Sequence, residues 1–74
     1  MKMKIRTIED FVAYSAMFPD GGAMTSYRDR LKNEYTITSD GNDPQKFAIN
    51  GLPTDLEDLK RVTRGRKLLG FYPL

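Results

Sequence analysis

Residues 34–50 read Glu-Tyr-Thr-Ile-Thr-Ser-Asp-Gly-Asn-Asp-Pro-Gln-Lys-Phe-Ala-Ile-Asn, and this stretch decides the fold. Tyr35 and Ile37 alternate with Thr36 and Thr38, which is the period of a strand with one buried face. Asp40 to Pro44 is dense turn chemistry, and Phe47 and Ile49 resume the alternation beyond it. The pattern predicts a β-hairpin pairing 34–39 with 45–50 across a loop of about five residues.

Toward the C-terminus, Asn50-Gly51-Leu52-Pro53 reads as the exit from that hairpin. Thr54 and Glu57 have the three-residue spacing of a capping box and open a helix predicted at 55–63, with Leu56, Leu59 and Val62 on one face. Acids fill its first turn and Lys60, Arg61 and Arg64 its end, as the helix dipole favours, and Gly65 suits the position just past the end. Leu68, Leu69, Phe71 and Tyr72 predict a closing strand ended by Pro73.

Toward the N-terminus, Met24, Tyr27 and Leu31 fall at helical spacing and predict a helix at 23–33. Pro19 to Gly22 is a turn. Before it, Thr7 reads as an N-cap with Asp10 three residues on, leading a helix at 8–18 through Ile8, Phe11, Val12, Ser15 and Phe18. Met1 to Arg6 alternates apolar and basic residues and predicts a first strand. The expected order is β-α-α-β-β-α-β. It describes a small single α+β domain at 1–74, with three helices packed on a short sheet that contains the hairpin.

The 74 residues are 39% hydrophobic and 30% charged, a globular balance at a size where the core supplies little surplus stability. There is no Cys and no His. That excludes disulfides, thiolate or imidazole metal sites, and Ser-His-Asp or Cys-His catalysis. The acids at 40–43 lack the spacing of a calcium loop, and the glycines match neither phosphate-binding fingerprint. Glu9 with Asp10, and Asp55 with Glu57 and Asp58, sit in first turns of predicted helices, where anions are stabilising without any catalytic role. The expectation is a protein with no enzymatic activity, cofactor or metal.

The net charge of +2 is unevenly laid out. Residues 34–59 carry Lys46 against six acids, while residues 60–74 carry five cations and no acid. Segregation of this kind steers association toward nucleic acid or an acidic protein face. Arg61, Arg64, Arg66 and Lys67, with Phe71 and Tyr72 just beyond, form the candidate partner-binding surface. Phe71 and Tyr72 cannot both point inward from one strand, and an exposed aromatic beside Arg is the composition of an interface hot spot. Lys2, Lys4 and Arg6 are the only other concentrated basic row the sequence shows by this reading. No targeting or membrane-spanning segment is evident, so the expected compartment is the cytoplasm.

Elimination and charge layout together predict a small regulatory or inhibitory binding protein, a description that includes phage-encoded regulators. It is expected to act through protein contacts on a larger protein or protein–nucleic acid machine of transcription, replication or nucleic-acid defence. The alternative is a protein that binds nucleic acid directly through the C-terminal basic cluster.

Overall fold

The fold is a computed structural model that describes residues 7–17, 21–40 and 43–73. In chain order it has α1 (Ile8–Ser15), β1 (Ala23–Arg28), β2 (Glu34–Asp40), β3 (Asp43–Ile49), β4 (Leu52–Thr54), α2 (Leu56–Thr63) and β5 (Leu69–Pro73). The strands form one antiparallel sheet in the order β4-β3-β2-β1-β5. The architecture is α+β, but the described residues hold two helices rather than three. The strand expected at 1–6 lies outside the described residues.

The hairpin of β2 and β3 forms as its alternation requires, with Ile37 opposite Ile49 and Ser39 opposite Phe47. The helix expected at 23–33 is instead strand β1 and a turn. Met24, Tyr27 and Leu31 do share a helical spacing, but Ala23, Thr25 and Tyr27 also alternate with Met24, Ser26 and Arg28. Thr, Ser and Tyr are poor helix formers, and two neighbouring strands are present to pair this segment. β1 pairs with β2 on one side and β5 on the other, so its backbone groups are satisfied by non-local ladders.

Residues 50–53 likewise do more than leave the hairpin. Asn50 (φ 51°) and Gly51 (φ 83°) are consecutive left-handed residues, the backbone of a type I′ turn, and they fold β4 back onto β3. Asn50 Oδ1 accepts from the Thr36 N–H at 2.9 Å, and the Asn50 N–H donates to Thr36 O at 2.8 Å. The turn is thereby tied to β2.

Recruitment of Thr54 into β4 also moves the helix cap by one residue. Asp55 is the N-cap of α2, and its side chain accepts from the Asp58 N–H at 2.9 Å. In α1 the expected capping box is present: Thr7 Oγ1 accepts from the Asp10 N–H, and Asp10 Oδ2 accepts from the Thr7 N–H. Asp55→Ala should therefore lower stability by about 1 kcal/mol, and Thr54→Ala by less, as read from urea melts. Equal or reversed losses would place the cap at Thr54.

Both helices pack on one face of the sheet. Ile8 and Phe11 of α1 and Leu59 of α2 close over Ala23, Tyr27, Ile37 and Phe47, with Leu68 completing the core. Strand alternation sends Met24, Ser26, Arg28, Thr36 and Thr38 to the opposite face, which no helix of the described residues covers. No helix among the described residues is long and apolar enough to cross a membrane.

Candidate functional site

The sequence-predicted surface is divided by the fold. Arg61 is exposed on α2, and its Nη2 donates to Asp58 Oδ1 at 3.1 Å. Arg64, at the end of the helix, and Lys67, beyond it, are exposed. Arg66 between them is half-buried and structural: Nε donates to Val62 O at 3.1 Å and Nη1 to Arg28 O at 3.2 Å. Reversing its charge would disturb packing, whereas Arg64 and Lys67 can be changed without that consequence.

Phe71 and Tyr72 point to opposite faces, as adjacent strand residues must. Phe71 packs against the core beside the helices, edge-on to Tyr14 with ring centroids 6.3 Å apart. Tyr72 lies on the open face and is 58% exposed. Its position depends on a bulge in β5, where Thr25 stands opposite Phe71 and Ser26 opposite Leu69, leaving Gly70 as the extra residue. Gly70 has φ +65°, and a Cβ there would stand 3.1 Å from Cε2 of Tyr72, so the ring rests on bare backbone. Thr25 Oγ1 and Ser26 Oγ both donate to Leu69 O, at 3.3 and 3.0 Å, which holds the bulge in place.

Tyr72 borders an open groove of about 260 Å³ lined also by Met24, Ser26, Arg28, Glu34 and Thr36. Arg28 and Glu34 face each other across it at 3.8 Å, both more than half exposed. A neighbouring depression of about 440 Å³ lies over Thr38, Ala48 and Pro53 on the same face. The arrangement is a shallow, solvated surface with one large aromatic and an arginine, suited to side-chain recognition.

Behind this face, the β1–β2 turn is built around Asp29. Its carboxylate accepts from the Leu31 N–H (2.8 Å), the Asn33 N–H (3.0 Å), Asn33 Nδ2 (3.2 Å) and the Tyr35 hydroxyl (3.1 Å). Desolvation alone would raise this carboxyl, but the donors from Asn33, Tyr35 and Leu31 outweigh it and hold it below the usual aspartate value. Tyr35 stacks on buried Tyr27 with ring centroids 5.1 Å apart. Burial, followed by the neighbouring Tyr35, pushes the Tyr27 phenol up. The Asp29 hydrogen bond and charge push Tyr35 up as well. The same turn puts Lys32 at φ 66° and leaves Leu31 82% exposed between Arg30 and Lys32. A non-glycine residue in this region costs of order 1 kcal/mol, offset by the bonds that Asp29 collects.

Sequence reasoning missed Arg28, Arg30 and Lys32 as a surface because it placed them on a helix. The signal was available: period-two alternation over 23–28, then Asp29 and Asn33 as turn residues. The row Lys2, Lys4 and Arg6 lies outside the described residues. The described residues contain no group of three or more His, Cys, Asp or Glu side chains placed to hold a metal ion. Comparison with protein-family models, curated proteins and solved structures found no match to this chain.

Proposed function

We propose that this chain is a small non-enzymatic binding protein that regulates or inhibits a larger machine of transcription, replication or nucleic-acid defence through protein contacts. The observation that carries the reading is Tyr72, an exposed aromatic held in place on Gly70 at the rim of a groove that also presents Arg28. A ring already ordered before binding gives up little conformational freedom when a partner covers it. The sheet edges favour the same mode. β4 is three residues long with Pro53 at its centre, and β5 carries the Gly70 bulge and Pro73, so neither edge suits addition of a further strand. Among the described residues, side chains on the open face suit recognition better than strand addition does.

The test is retention of partner protein from nuclease-treated cell lysate by the wild-type chain and by Tyr72→Ala. Tenfold or greater loss of the retained partner is expected, with a melting temperature close to wild type because the ring is mostly solvated. Undiminished retention by the variant would remove Tyr72 from the contact and the reading with it.

A further inference from the structure

We infer that the end of the sheet formed by the β1–β2 turn and the α2–β5 link is one cationic surface for the phosphate backbone of a nucleic acid. Arg28, Arg30 and Lys32 come from the first segment and Arg64 and Lys67 from the second, more than thirty residues away in the chain. The bond from Arg66 to Arg28 O joins the two segments directly. Consecutive Cα atoms are about 3.8 Å apart, so the Cα atoms of Arg64 and Lys67 lie within about 8 Å of that of Arg66, whose side chain makes the bond.

The topology brings these cations to one end. β2 leaves this end at Glu34 and reaches Asp40 about 20 Å away. β4 runs to that far end, where α2 begins with Asp55, Glu57 and Asp58. The helix then returns and delivers Arg64 and Lys67 to the near end. Four acids remain at the near end, each with partners of its own: Asp29 has its four donors, Glu9 faces Lys60 at 3.7 Å, Asp10 closes the cap of α1, and Glu34 faces Arg28 at 3.8 Å. Arg28 thus meets an acid already, and Arg30, Lys32, Arg64 and Lys67 carry the positive excess. All five cations are exposed. They come from two separate segments and do not line one common cavity, which fits a run of phosphates better than one carboxylate. This surface shares Arg28 with the Tyr72 groove but goes beyond that contact and does not require the Tyr72 ring.

The test is fluorescence anisotropy of a labelled, mixed-sequence DNA duplex titrated with the full chain across a series of salt concentrations. Each phosphate contact contributes about 0.9 to the slope of log affinity against log salt, so a slope of about −4 or steeper is expected. Arg30→Gln with Lys32→Gln should flatten it by about 2, and Arg64→Gln with Lys67→Gln by a similar amount. Lys46→Gln, which removes a cation elsewhere on the sheet, and Tyr72→Ala should leave affinity and slope unchanged. Flattening by only one of the two double variants would overturn the joint surface. So would no binding at low salt, equal losses with Lys46→Gln, or tighter binding to polyglutamate than to DNA, which would assign these cations to an acidic protein. DNA binding that survives Tyr72→Ala while partner capture is lost separates this surface from the protein contact. Failure here leaves the protein contact standing.

Discussion

Phe11→Ala is expected to lower the stability of the fold by about 3–5 kcal/mol, the usual cost of emptying a fully buried phenylalanine site. Phe11 is wholly inaccessible to solvent and lies where α1 meets the sheet, among Ala23, Tyr27, Ile37 and Leu59 in the common core. A domain of this size has total stability of about the same magnitude, so the variant should be largely unfolded at room temperature in dilute buffer. Phe11→Leu keeps most of the volume and should cost about 1.5 kcal/mol or less, which leaves a folded protein to measure. Urea melts of the two variants against wild type check both values. Wild-type midpoints for both would mean that α1 does not cover the sheet through this residue.

Ser39→Ala should cost about 1–3 kcal/mol, although it removes a single oxygen. The β1–β2 ladder runs from Arg28–Glu34 to Met24–Thr38, and beyond it the buried Ser39 hydroxyl takes over. Its oxygen accepts from the Ala23 N–H at 2.9 Å, and its O–H donates to Ala23 O at 3.3 Å. Ala23 is itself wholly buried, so alanine at 39 leaves both backbone groups without partner or water. The loss would appear in the melting temperature, and hydrogen exchange at the Ala23 amide should accelerate more than at Thr25 in the middle of the strand. Retention of slow exchange at Ala23 would show that another group satisfies it.

The candidate surface was legible in part. Arg64 and Lys67 are exposed, and Tyr72 is the outward member of its pair, because side-chain alternation in a strand is a local rule. Arg66 had the same appearance in the sequence as its neighbours, yet it is a brace between a helix end and a strand end. Nothing local distinguishes a solvated arginine from one that reaches a carbonyl thirty-eight residues away. Arg28, Arg30 and Lys32 were hidden differently, by one misread segment that carried three cations to the wrong kind of element.

Period and turn chemistry belong to neighbouring residues, and the features built from them alone could be read directly. These are the β2–β3 hairpin, the Thr7–Asp10 box, the span of α2, the closing strand, and Phe11 and Phe47 as core. Residues 23–28 fit both the helical and the extended period, their propensities lean toward strand, and pairing with β2 and β5 completes the choice. β4 is three residues long, too short to have a period, and exists because Asn50 and Gly51 turn it onto a strand already in place. Its formation then takes Thr54 into the sheet and leaves Asp55 to cap the helix. The gathering of cations at one end is tertiary in the same sense. It follows from antiparallel strands and a returning helix that bring residues 28–32 and 64–67 to one place, which no window of sequence contains.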